Sequence, residues 1–312
     1  MKYFSLFASL FFSISIIAQN CDSTYFSSLK AFDEEKYDSA IVLINHCIDS
    51  CKADEKYHLH AAKIYFEKKN YALTIKNLNK AIEINDSCVE AHAFKAHIYL
   101  EENDYNAAIT NYKKVFAILP HTDFFDVVYH VNLSKAYMQT NQFQKAYDIL
   151  KIAYPVDSTS LEMNSNLAVC CMNLDKESEA EFYLNRCLQI SPNFTGGLVN
   201  MGFYLTSKNK LDKAIEYYNK ALALLPREAF ALNNRGYTYY LQERYDLALE
   251  DINNSIKIEP SNSYAYKNRG LVYAKTGLTE DACKDFEKAL QLGFTEMYGN
   301  EVQILKNEIC GK

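Results

Sequence analysis

The sequence predicts an all-α solenoid built by stacking one helix pair on the next. Three observations carry that class. Small and helix-breaking residues recur at a fixed interval: Gly202, Gly236 and Gly270 lie 34 residues apart, as do Ala180, Ala214, Ala248 and Ala282, and Pro192, Pro226 and Pro260. A period of this length means one supersecondary unit repeated along an axis. Within each period the apolar residues are spaced by three and four, which places them on one face of a helix. Finally, 9 Gly and 5 Pro among 312 residues leave little material for flexible linkers, and 49% hydrophobic with 23% charged residues describes a packed chain.

The elements follow in order. Met1-Lys2, an apolar stretch from Tyr3 to Ile17 broken by serines, and Ala18-Gln19-Asn20 have the layout of a secretory signal. Cleavage is expected after Ala18, and residues 1–20 stand outside the fold. The chain is therefore expected to be exported, to a periplasm or the exterior. Lipidation of Cys21 is disfavoured, because Ala18-Gln19-Asn20-Cys21 fits the Leu-Ala-Gly-Cys pattern of bacterial lipoboxes poorly. No later apolar stretch is long enough to span a membrane.

Stepping back from Ala282 in intervals of 34 sets units at 263–296, 229–262, 195–228, 161–194 and 127–160. A step of 38 then reaches 89–126, and steps of 34 resume at 55–88 and 21–54. The four extra residues fall around Asp123-Phe124-Phe125-Asp126, between units, where added length costs little. The unit at 229–262 shows the internal pattern. Leu232, Gly236 and Tyr239 share a face of a first helix, Gln242-Glu243-Arg244 turns, Ala248, Ile252 and Ser255 share a face of a second, and Pro260 ends it. Gly236 and Ala248 are small because the two helices must approach closely. The first unit departs furthest, with Ser28 at the small first-helix place and Lys52 where a proline fits, yet Tyr37, Ala40 and Ile44 hold register. The second carries Thr74 at the alanine place. Residues 297–312, with Glu301–Cys310 as a helix, would cover the last apolar face of the stack.

These units resemble the tetratricopeptide repeat. Gly202, Leu205, Leu211, Ala214, Tyr218, Ala221 and Pro226 carry the resemblance, and likewise Gly270, Tyr273, Ala282, Phe286 and Ala289. It extends over residues 21–296 and implies a right-handed superhelix whose first helices line a concave groove. It also implies a non-enzymatic scaffold whose partner is a protein or peptide, held as an extended segment in that groove. The alternative is a structural subunit of a cell-envelope assembly, or a self-associating solenoid, using the convex face or the ends.

The chemistry agrees with binding rather than catalysis. The chain lacks the HExxH and GxSxG signatures, a phosphate-cradling glycine loop and a dinucleotide fingerprint. No catalytic residue, cofactor or metal is assigned. A net charge of -6 without a basic run sets nucleic acid aside. His58, His92 and His130 recur at one place in three successive units and read as core imidazoles rather than a metal row. His60 and His97 are expected to face the groove. A chaperone-tail clamp is not found in any three successive units.

The functional feature that stands out is a row of asparagines. Asn132, Asn166, Asn200, Asn234 and Asn268 occupy one position of five consecutive first helices. Each amide offers a donor and an acceptor, so the row could hold the backbone of an extended peptide; the rival role is local hydrogen bonding. Around it Phe203, Phe230, Tyr237, Tyr240 and Tyr264 are the expected anchors, with Asn233 and Lys267 beside them. Towards the N-terminus the groove would offer Tyr25, Phe32, Phe66, Lys56 and Lys63.

The chain has nine cysteines, and export would permit disulfides among them. Cys47, Cys170, Cys171 and Cys187 read as small core residues. Antiparallel helix pairs bring the start of one helix near the end of the next, so Cys21 can meet Cys51, with Cys51 to Cys88 as the alternative. Cys283 and Cys310 are a possible disulfide pinning the final helix.

Overall fold

A computed structural model describes residues 21–119 and 126–311. The expected signal segment and the four-residue insertion, apart from Asp126, lie outside those residues. Among the described residues every regular element is a helix: α1 (21–33), α2 (Tyr37–Ser50), α3 (Glu55–Glu67), α4 (Tyr71–Ile84), α5 (Val89–Glu101), α6 (Tyr105–Ile118), α7 (Val127–Gln139), α8 (Phe143–Ala153) and α9 (Leu161–Asn173). There follow α10 (Glu177–Ile190), α11 (Thr195–Ser207), α12 (Leu211–Leu224), α13 (Ala229–Leu241), α14 (Tyr245–Ile258), α15 (Ser263–Lys275), α16 (Thr279–Gln291), α17 (Phe294–Tyr298) and α18 (Glu301–Cys310). None is long and apolar enough to cross a membrane. The chain forms two compact units, Met1–Ala136 and Tyr137–Lys312. Through α16, odd-numbered first helices alternate with even-numbered second helices.

One turn recurs between paired helices. Glu35, Lys69, Asn103, Asn141, Asp175, Asn209, Glu243 and Gly277 all have φ between 55 and 82. The left-handed residue lets the next N–H reach back over the helix end: Arg244 N–H donates to Tyr239 O at 2.9 Å, and Lys210 N–H to Leu205 O at 2.9 Å. These bonds satisfy carbonyls that a helix end would otherwise leave free.

Where paired helices cross, the residue is small because there is no room. A Cβ on Gly236 would lie 2.6 Å from Ile252 Cγ1, and one on Gly270 2.6 Å from the Phe286 ring. The opposing Ala248, Ile252, Ala282 and Phe286 are fully buried. Small polar side chains on the second helix tie it to the start of the first. Ser255 Oγ donates to Ala229 O at 2.8 Å, and Cys187 Sγ to Leu161 O at 3.4 Å in the same register. In the last two pairs Arg235 grips Asp251 at 2.7 and 2.8 Å and Asn219 at 2.7 Å, and Arg269 grips Asp285 and Asn253 in the same way. Planar two-point pairing of this kind holds orientation as well as charge.

Each unit carries one disulfide among the described residues. Cys21 is bonded to Cys51, and Cys283 to Cys310, with Cα atoms 6.0 and 5.9 Å apart. Cys88 stays a buried free thiol. The closing segment is two short helices, with left-handed Gly293 and Gly299 bounding α17. Phe294 and Val302 are fully buried in the same core as Phe286. Lys267 and Glu301 stand 34 positions apart and are joined at 3.0 Å. So α18 sits in the register of a further first helix.

Candidate partner-binding surface

The five asparagines each take the sixth residue of their helices, α7, α9, α11, α13 and α15. Their bonding differs. Asn200 Nδ2 donates to Ser165 Oγ and Asn268 Nδ2 to Asn233 Oδ1, both at 3.0 Å. Each bond spans 35 residues, from the sixth position of one unit to the fifth of the unit before. The fifth position before Asn234 is Val199, which offers no acceptor, and the Asn234 oxygen receives only a 3.5 Å contact from Asn233. Asn166 Nδ2 and Asn268 Oδ1 are buried without a hydrogen-bond partner among the described residues. Asn132 hydrogen-bonds the hydroxyl of Tyr112, which burial pushes up to about 12. The row is thus part structural brace, part unsatisfied amide.

In the second unit a cavity of about 280 Å³ opens between the first helices. Phe203, Asn234, Tyr237, Tyr264, Lys267 and Asn268 line it, and so do Thr206, Tyr218 and Leu241. Phe203 is half exposed at the mouth. Thr206 Oγ1 lies 2.9 Å from Thr238 Oγ1 and 3.4 Å from the Tyr218 hydroxyl, which forms a polar floor. The Tyr218 hydroxyl is pushed up strongly by burial. Thr206 and Tyr218 carried no signal beyond helical spacing, because Tyr218 occupies an ordinary core place.

Several expected anchors are placed otherwise. Lys267 is only 5% exposed; its ammonium pairs with Glu301 and lies 5.4 and 5.1 Å from the ring centres of Tyr237 and Tyr264. Its charge is therefore committed to α18, and it forms wall rather than a free cation. Asn233 is buried as the acceptor for Asn268. Tyr240 does not line the cavity; it stacks on Tyr237 at 5.8 Å and packs against the Ala248–Ile252 core. Tyr264 leans on Phe294 and Tyr298 at 5.2 and 4.6 Å, and burial raises it to about 12. Phe230 is exposed but outside the cavity.

The first unit holds a larger cavity, of about 490 Å³. Phe32, Lys63, Phe66 and His97 line it, as does Asn132. Phe94, Val128, Tyr129 and the buried Tyr112 complete the wall and were not anticipated. A signal existed for one: Phe94 takes the sixth position of α5, where later units carry asparagine. His60 does not face this cavity. It is 3% exposed, with Nε2 3.0 Å from Ser28 Oγ and its ring against Tyr25 and Phe32. It is buried because the small Ser28 leaves room for an imidazole there. Lys56 lies over Tyr25 and Tyr57 and pairs with Asp54 at 3.2 Å.

The three aligned histidines are held separately. His58 Nδ1 is 3.0 Å from Asn77 Oδ1, His92 Nε2 3.1 Å from Asp86 O, and His130 Nδ1 3.0 Å from Asp126 O. Among the described residues no three metal-binding side chains gather. Burial raises the thiols of Cys170 to about 12 and of Cys171 and Cys187 to about 11, so they stay protonated and inert at neutral pH.

The tetratricopeptide repeat models match residues 229–262 and 263–292. A coatomer epsilon subunit model matches residues 7–229, a likeness that is not specific and brings no coatomer role with it. No curated protein matches the sequence. Among solved structures, a tetratricopeptide repeat protein from Parabacteroides merdae is 14% identical with a TM-score of 0.69, covering 81% of this chain and 98% of its own. A thermophilic tetratricopeptide protein of Thermus thermophilus is 16% identical with a TM-score of 0.54, covering 60% of this chain and all of its own, 100%. The Cut9–Hcn1 assembly of the anaphase-promoting complex, 15% identical with a TM-score of 0.61, covers 86% of this chain and 52% of its own. At these identities the likeness is one of fold. With the helix pairs, their recurring turn and the two matched repeats, it establishes that the chain belongs to the tetratricopeptide repeat family, a fold of protein–protein interaction scaffolds.

Proposed function

We propose that this protein is an exported, non-catalytic scaffold that holds an extended segment of a partner protein along the first helices of its second unit. The observation that carries this is the cavity in which Phe203, Asn234, Tyr237, Tyr264 and Asn268 converge. Aromatic walls take an apolar side chain, and the half-buried Asn234 amide, not tied to the unit before, suits a backbone N–H or C=O. The apolar stretch from Tyr3 to Ile17 and the two disulfides support export to an oxidising compartment. A second reading, assembly through the second helices, is favoured by Val42 and Phe182, exposed at the same register of α2 and α10.

The test is site-specific photo-cross-linking in the native host. A benzophenone side chain replaces Phe203 in one variant and Phe182 in another, and adducts are read by mass spectrometry. Peptide adducts from position 203 but not 182 are expected. Adducts from 182 alone would overturn groove binding in favour of assembly.

A further inference from the structure

The cavity of the first unit differs in chemistry from that of the second. Its wall is formed by Phe32, Phe66, Phe94, Tyr112 and Tyr129, with Phe66 and Phe94 edge to face at 5.1 Å. The asparagine row ends at Asn132; one unit earlier the same position is Phe94, so a polar rung becomes an apolar wall. A second cleft shares Phe66 and His97 with this cavity and continues it past Glu101 and Glu102. The rim is acidic. Among the described residues Lys63 is its one ammonium group, and it is already paired with Glu90 at 2.6 Å. Glu67, Glu101 and Glu102 are exposed and enter no ion pair among the described residues.

An aromatic cavity ringed by unpaired carboxylates selects its occupant by charge. We infer that the first unit carries its own binding site, for a partner segment that presents one bulky apolar side chain flanked by lysine or arginine. The side chain enters between Phe66, Phe94 and Tyr129, and the flanking cations meet Glu67 on one side and Glu101 and Glu102 on the other. Burial of the apolar group supplies affinity, while the rim sets which sequences are accepted. The site is separate from the asparagine-lined cavity of the second unit and stands whether or not that one binds.

The chain has no tryptophan, so a tryptophan in a probe peptide reports alone. The probe is Ac-Gly-Lys-Trp-Lys-Gly-amide, titrated against the full oxidised protein and followed by the blue shift of indole emission. Controls carry glutamate in place of both lysines, or alanine in place of tryptophan with a label at the end. The lysine–tryptophan probe is expected to bind at least about tenfold tighter than either control, with affinity falling as salt is added. Phe94→Ala is expected to abolish the shift. Should that variant fold poorly, the surface variant Glu67→Lys, Glu101→Lys, Glu102→Lys keeps the test open, because it leaves the cavity intact and is expected to reverse the preference between lysine and glutamate probes. Ile152→Ala, exposed on α8 in the other unit, is expected to leave the probe's affinity unchanged. Equal binding of the lysine and glutamate probes, binding unaffected by the charge reversal, or no binding at millimolar protein would overturn the inference.

Discussion

Asn268 and Asn234 are the same residue at the same place in consecutive helices, yet what stands 35 positions earlier gives them different work. Asn268 finds Asn233 and braces one unit against the next; Asn234 finds Val199 and does not. Asn268→Ala leaves the Asn233 oxygen buried and unpaired, so it is expected to cost about 1–3 kcal/mol in urea unfolding. Asn234→Ala is expected to stay within about 0.5 kcal/mol of wild type while weakening partner binding. Equal losses from the two would show the brace to be unimportant. Histidine sets a second residue-level expectation. Burial lowers His60 and His130 below their ordinary value of 6.5. The unfolded chain therefore binds more protons at acid pH, so this stability is present above about pH 6.5 and is lost as pH falls through it towards the lowered folded values. The urea midpoint should drop between about pH 7.5 and 5.5, and His60→Gln, His130→Gln should flatten that drop. A slope unchanged in the double variant would assign the acid sensitivity to other groups.

At the scale of the element, the turn between paired helices is the repeat's most uniform feature, and seven of its eight left-handed residues are not glycine. A side chain in that conformation costs about 1 kcal/mol for all but asparagine and aspartate. Glu35, Lys69 and Glu243 carry that strain, whereas Gly277 does not. Glu243→Gly is expected to raise stability by up to about 1 kcal/mol, with the gain reduced by the freedom glycine adds to the unfolded chain. A loss on substitution would mean that the Glu243 side chain makes a contact worth more than the strain. The helix pairs were legible in the sequence because packing dictates them: Gly236 and Ala248 are small where backbones meet, and Pro260 stops a helix. The site was legible only in part. Lys267 has opposite charge to Glu301 one period on, a signal that period-counting holds but that an unpaired-groove reading passes over. His60 went into the core because its place depends on a serine in the preceding unit, and no periodicity within one helix reports that.

For the whole molecule, each unit carries one covalent tie. In the first a disulfide joins the start of α1 to the residue after α2, and in the second another joins α16 to α18, closing separations of 30 and 27 residues. Each is worth about 3–4 kcal/mol in the chain-entropy account. Mild reduction is therefore expected to loosen α1, α2 and α18 first, seen as early loss of amide protection by hydrogen exchange, while α13 and α14 hold. The consequence reaches the partner-binding surface in the second unit only. Through Glu301, Phe294 and Tyr298, the closing segment holds Lys267 and Tyr264 in the wall of the second unit's cavity. Once α18 detaches, Lys267 regains a free ammonium and Tyr264 loses its backing. Cys310→Ser should weaken partner capture at the second unit's cavity while leaving the lysine–tryptophan probe's affinity for the first unit unchanged. If capture survives in Cys310→Ser with α18 shown by exchange to be loose, then the wall holds its shape without the cap, and the final helix serves only to cover the last apolar face.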